Sequence, residues 1–118
     1  MPTFERGAVV RVPFPYTDRP VVQRRPAVVV SNGTLANGHL LWVVMVTSAE
    51  NRPWPEDILL TDNFAALGLP APSLIRPIKI ATIEASQAET IGQLPTDVLH
   101  DLDVSLTRLL GFASPETT

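Results

Sequence analysis

Arg24 and Arg25 stand directly before Pro26, and Pro26 opens a run of Ala27, Val28, Val29 and Val30 that closes on Ser31 and Asn32. A β-branched run bounded by turn-forming residues reads as a strand. Proline donates no backbone hydrogen bond, fixes its own φ and pushes the preceding residue toward extended geometry, so Arg25 is held at a strand mouth. A guanidinium there keeps its charge and can give two parallel N–H bonds to a phosphoryl or carboxylate group. On composition alone, the competing reading is a surface ion pair between Arg25 and Asp18.

The other side chains with chemical potential follow a second apolar run, Leu40 to Val46, of strand length and covered on both faces. Thr47 and Ser48 come at its end, where a hydroxyl can point into whatever the strand mouths enclose. Taken alone, a threonine in that position is simply a β-former bonded to backbone. Further along, Arg24, Arg76 and Lys79 are placed to hold backbone phosphates, against the plainer reading of a solvated face. Trp54, between Pro53 and Pro55, either stacks on a base or covers the edge of the sheet. His39 and His100 are the only imidazoles and there is no cysteine, which leaves no patterned metal site and no thiol chemistry. No cofactor is expected.

The elements that must position these residues are short. The pattern predicts a first strand over Gly7 to Tyr16, with Pro13 and Pro15 confining its far end to an edge or bulge. A loop over Thr17 to Arg24 leads into the strand from Pro26 to Ser31. Turn dipeptides Asn32-Gly33 and Asn37-Gly38 precede the central strand. A polar loop spans Thr47 to Asp57, a short strand Ile58 to Leu60, and a helical turn from an Asp62 cap to Gly68. Ser73 to Ala85 reads as one long strand bent near Pro77. From Pro95, taken as the first helical residue, Val98, Leu99, Leu102, Leu106, Leu109 and Leu110 recur at helical spacing up to Gly111. Residues 1–6 read as a loosely ordered lead. Five or so strands and one amphipathic helix make a mainly β fold, a small antiparallel barrel closed by a helix.

With 118 residues, 45% hydrophobic and 18% charged, the chain is read as a single globular domain over 1–118. No apolar run approaches the roughly 18 residues of a membrane span, and a basic-then-apolar leader is missing, so a cytoplasmic protein is expected. The net charge is −3, which argues against a nucleic-acid partner until its distribution is considered. Residues 1–52 carry six arginines against three acids, while the remainder carries three cations against nine acids. Eight of the nine cations are arginine, the type suited to bidentate phosphate contact.

The ordered set of motifs resembles a known family. Val12-Pro13-Phe14-Pro15-Tyr16-Thr17-Asp18, Arg25-Pro26-Ala27-Val28-Val29-Val30-Ser31-Asn32, Val44 to Ser48, Pro72 to Lys79 and Ile91 to Leu94 before a terminal helix are similar to the PemK/MazF toxin endoribonucleases of type II toxin–antitoxin systems. The resemblance covers roughly residues 5 to 111. It implies a Src homology 3-like barrel with a C-terminal helix, a homodimer, an RNA substrate and a cognate antitoxin. It also implies metal-independent cleavage through 2′-hydroxyl attack, with Arg25 and Thr47 catalytic, Ser48 beside them and Ser73 a support that hydrogen-bonds near the cleft; with an RNA substrate, Ser48, Ser73 and the candidates Arg24, Trp54, Arg76 and Lys79 are the expected RNA contacts. Ala49 stands where many members have glutamine. The general base has no assignment, because arginine is a poor acceptor and neither histidine belongs to a motif near Arg25. The alternative is a non-catalytic poison of the same fold, like the gyrase-directed CcdB proteins, or an inactive member.

Overall fold

The computed structural model describes residues 4–15, 22–62 and 64–112. Six strands follow in order, β1 (Ala8–Pro15), β2 (Val22–Val29), β3 (Leu40–Ser48), β4 (Ile58–Leu60), β5 (Ser73–Glu84) and β6 (Glu89–Gln93), and then one helix, α1 (Thr96–Leu110). All pair antiparallel in one sheet of order β4-β5-β3-β2-β1-β6. Among the described residues no ladder joins β4 to β6. The expected barrel is therefore a curled half-barrel with one C-terminal helix.

Two irregularities bend the sheet. Between β1 and β6 the register shifts after Val9↔Gly92 to Val10↔Thr90, leaving Ile91 as an extra residue. Between β3 and β5 it moves from Val44↔Ile80 to Met45↔Arg76, so that Pro77, Ile78 and Lys79 are extra. Extra residues on one strand kink it and raise its twist, and Pro77 has no N–H to contribute to a ladder. The bend expected near Pro77 lies there.

Alternation along the strands supplies two apolar faces instead of one. Val10, Val12, Ala27, Val29, Leu41 and Val43 pack with Phe4 and Ile83 on one side. Val9, Val28, Val44, Val46 and Ile75 pack on the other with Leu67, Leu69 and the helix residues Leu102 and Leu106. Each fully buried side chain of this size contributes about 1.5–3 kcal/mol, so covering β3 on both faces makes it the anchor of the fold. Phe4 is buried at 5% exposure, and Arg6 pairs with Asp103 on α1 and donates from Nε to the Val30 carbonyl at 3.0 Å. The lead expected to be loose is thus tied down from Phe4 onward.

Several boundaries move. β2 begins at Val22, not Pro26, because pairing with β1 runs on through Pro15↔Val22, and the part of the predicted loop over Val22 to Arg24 is strand. β3 continues through Thr47 and Ser48, paired with Leu74 and Ser73. Pro13 and Pro15 lie past the last β6 pair at Arg11, where among the described residues β1 has only β2 beside it, as their missing donors require. The short turn over Ala65–Leu67 has Phe64 and not Asp62 at its N-cap, and Gly68 at φ 76° ends it. Pro95 is the N-cap of α1 and not its first residue; its carbonyl accepts from the Leu99 amide at 3.0 Å. Gly111, at φ 79°, stops the helix with its amide bonded to the Arg108 carbonyl. Among the described residues no helix is long and apolar enough to cross a membrane.

Candidate active site

The β2–β3 ladder consists of Val29↔Val43, Val28↔Val44 and Ala27↔Met45, and there it stops. The next residue of β2 is Pro26, which has no donor with which to continue it. Past that point β2 is bonded to β1, through Pro26↔Arg11, Arg25↔Val12 and Arg24↔Pro13. β3 is bonded to β5, through Val46↔Ile75, Thr47↔Leu74 and Ser48↔Ser73. The two central strands part, and a cavity of about 310 Å³ opens between them. Arg25 and Thr47 lie two positions beyond Ala27 and Met45 on the two parting strands, and both line it. Arg11, Arg24, Ser48 and Ser73 share the lining, together with the segment from Gly68 to Pro72.

Each wall is built differently. On the basic wall, the Arg24 guanidinium donates to the Arg11 carbonyl at 3.3 Å and lies 3.7 Å from a Glu89 oxygen, an exposed pair worth at most about 1 kcal/mol. It is therefore available to exchange Glu89 for a stronger anion. Three arginines contribute to the lining of one cleft, and that described lining has neither carboxylate nor imidazole. On the hydroxyl wall Thr47 is 6% exposed, and its Oγ1 accepts from Asn51 Nδ2 at 2.7 Å. Ser48 Oγ accepts from the Glu50 amide at 3.2 Å, and Ser73 Oγ donates to the Ala71 carbonyl at 2.9 Å. Ser73 thus shapes the segment that faces the arginines.

The structure does not bring Arg76, Lys79 and Trp54 into this cleft. Arg76 is buried, 3.0 Å from Asp57, whose side chain is itself only 2% exposed. Its Nη2 also donates to the Arg52 carbonyl at 3.0 Å, and its guanidinium carbon lies 3.9 Å from the centre of the Trp54 ring. Arg76 is consequently a pin for the loop between β3 and β4, not an open phosphate contact. Trp54 stacks on that pin and remains partly exposed, with the Lys79 ammonium 5.6 Å from its ring centre. Arg11 and Asn51 escape sequence reasoning. Arg11 alternates with Val10 and Val12 like any outward strand residue, and only the register against Pro26 reveals which face it joins. Asp18 lies outside the described residues. His39 and His100 are exposed, and among the described residues no three His, Asp or Glu side chains converge as a metal ion requires.

A larger cavity, about 580 Å³, lies elsewhere, against the C-terminal end of α1. Its lining is chiefly apolar, with Trp42, Ile80, Leu110 and Phe112 prominent, and its ionic residues Arg6 and Asp103 neutralise each other. It offers a surface chiefly to apolar side chains.

The model of the PemK-like, MazF-like toxins of type II toxin–antitoxin systems matches residues 5–110. The chain belongs to this family. MazF of Deinococcus radiodurans is 26% identical, with 95% of this chain and 100% of that one aligned at a TM-score of 0.74. A MazE–MazF complex from the same organism is also 26% identical, covering 94% and 99%, at 0.72. An endoribonuclease in complex with its cognate antitoxin from a mycobacterial species shares the fold at 18% identity, covering 98% and 100%, with a TM-score of 0.72. Comparison with curated protein sequences finds no match. In this MazF-like chain the family's Arg-Pro and Thr-Ser motifs are the ones that frame the parted strands.

Proposed function

We propose that this MazF-like toxin is a cytoplasmic endoribonuclease, acting as a homodimer, that cleaves RNA by attack of a 2′-hydroxyl on the adjacent phosphorus and is held inactive by a cognate antitoxin. The observation that carries the reading is the cleft between β2 and β3, where Arg11, Arg24 and Arg25 face Thr47 and Ser48. In such a cleavage the O2′–P bond forms and the P–O5′ bond breaks. The 2′-hydroxyl loses its proton, the 5′-oxygen gains one, and the products are a cyclic phosphate and a 5′-hydroxyl. Negative charge grows on the phosphoryl oxygens in between, and fixed donors aimed at them supply the largest share of rate enhancement. Arg25 and Thr47 are the donors in this role. Arg24, Arg11, Ser48 and Ser73 position the strand around the reacting phosphate. The guanidinium charge serves where other nucleases use a metal ion.

The partners follow from the two cavities. MazE–MazF complexes among the similar structures support a cognate antitoxin as partner, and in this reading its acidic segment competes with RNA for the arginines. The apolar groove against α1 is read as the homodimer contact. The test uses purified wild type and Arg25→Ala with a long RNA in excess chelator, followed by mapping of product ends. Discrete cuts by wild type alone, leaving 5′-hydroxyl and cyclic-phosphate ends, are expected. No cuts by wild type on several RNAs would overturn the nuclease reading and favour a protein-directed poison.

A further inference from the structure

The hydroxyl of Thr47 has a neighbour whose geometry decides what that hydroxyl can do. The Thr47 side chain is nearly buried, yet lines the cleft. Its oxygen accepts from the Asn51 amide at 2.7 Å, a short bond that fills one of its two acceptor positions. Among the described residues the Thr47 hydroxyl donates to no partner, so its proton remains for whatever enters the cleft. A threonine with a bound amide donor is thereby polarised and oriented as a donor. Left to itself, its hydroxyl would rotate among backbone carbonyls.

Asn51 lies in a turn that is bonded at its own amide and at the residues on either side of it. Its backbone amide donates to the Ser48 carbonyl at 3.0 Å, and the Ser48 hydroxyl accepts from the Glu50 amide at 3.2 Å, which closes the turn leaving β3. Ala49 is tied to the Pro72 carbonyl at 3.0 Å. On the far side, Arg76 grips the Arg52 carbonyl and the Asp57 carboxylate. This much restraint on a loop whose Asn51 side chain bonds, among the described residues, only to a cleft hydroxyl is what a support for that hydroxyl requires.

We propose that Asn51 is a positioning residue for cleavage: its amide fixes the Thr47 hydroxyl as a hydrogen-bond donor to the phosphoryl oxygen in the cleft. The proposal rests on the nuclease reading above. It adds a residue that touches neither RNA nor the scissile group. The effect should fall on the chemical step and pass entirely through Thr47.

The experiment is a double-mutant cycle with Asn51→Ala and Thr47→Val, measured on a short RNA containing a cut mapped in the long transcript. Asn51→Ala should lower kcat about five- to tenfold, the scale of one oriented hydrogen bond, with KM changed less than about twofold. Thr47→Val should lower kcat more. Adding Asn51→Ala to Thr47→Val should lower it no further, because the hydroxyl through which Asn51 acts is already gone. Both single variants should unfold thermally within a few degrees of wild type. Wild-type kcat in Asn51→Ala, a loss confined to KM, or an undiminished loss in the Thr47→Val background would each overturn the role of Asn51 while leaving the nuclease reading intact. Wild type that cuts no RNA would overturn both.

Discussion

Replacing Arg76 separates a structural pin from a phosphate contact. Arg76→Met keeps the apolar stem and removes the guanidinium, leaving the Asp57 carboxylate at 2% exposure with only the Trp54 amide, at 2.8 Å, as a partner among the described residues. Removing one partner of a buried ion pair costs about 3–5 kcal/mol, because the other charge stays buried and uncompensated. Loss of the stacking on Trp54 adds about 0.5–1 kcal/mol. Against a total domain stability of about 5–15 kcal/mol, that is a large fraction. With a urea m-value of about 1–3 kcal/mol/M, a loss of 3 kcal/mol moves the unfolding midpoint by about 1–3 M. Adding Asp57→Asn removes the stranded charge while keeping an acceptor for the Trp54 amide, so the double variant should regain much of the loss. Equilibrium urea unfolding of wild type, Arg76→Met and the double variant gives the answer. A single variant within about 1 kcal/mol of wild type, or a double variant no more stable than the single, would refute the pin.

The cleft arginines should behave in the opposite way. Arg24→Ala should leave the urea midpoint close to wild type, yet weaken RNA binding and reduce the slope of log K against log salt by roughly 0.7, the value for one contact to a single strand; an unchanged slope would remove Arg24 from the RNA path. Gly92→Ala should destabilise the fold by about 1–3 kcal/mol or more. A Cβ there would lie 2.6 Å from the Leu67 carbonyl oxygen, in a close crossing of backbone on backbone, and unfolding at the wild-type midpoint would contradict it. Trp42→Glu puts a charge on an apolar side chain that is 49% exposed. It should halve the mass seen by light scattering if that groove joins two copies, and an unchanged dimer mass would exclude the groove as the contact.

Much of this architecture is legible in local chemistry. Valine runs bounded by glycine, proline and asparagine mark the strands, and the leucine spacing after Pro95 marks the helix to within a residue. The start of β2 is not legible, because Pro26 looks like a strand opener when only the chain on either side of it is considered. In the sheet it ends one ladder and leaves the other, with β1, untouched. The fate of Arg76 is hidden for a related reason. Nothing local distinguishes a guanidinium that meets an acid 19 residues away from one that meets a phosphate. Ser73, Thr47 and Arg25 converge as their motifs imply, since each lies on a strand whose direction is fixed by neighbours on both sides of it in sequence. Asn51 is silent because its signal is a single loop hydrogen bond.

The parting of β2 from β3 also grades how readily the backbone opens. Amides of Ala27 and Val28 lie in a stretch of strand paired on both sides, in a core with 0% exposure, and their exchange with solvent should require unfolding of the domain. Arg24 and Arg25, on the same strand, have a ladder on one side only among the described residues. Their amides should exchange through local opening, at lower free energy than the rest of the sheet. The catalytic arginine proposed here is thus carried on a strand rigid at one end and compliant at the other, so a bulky polynucleotide can be admitted by adjusting a few residues without loosening the core that aims them.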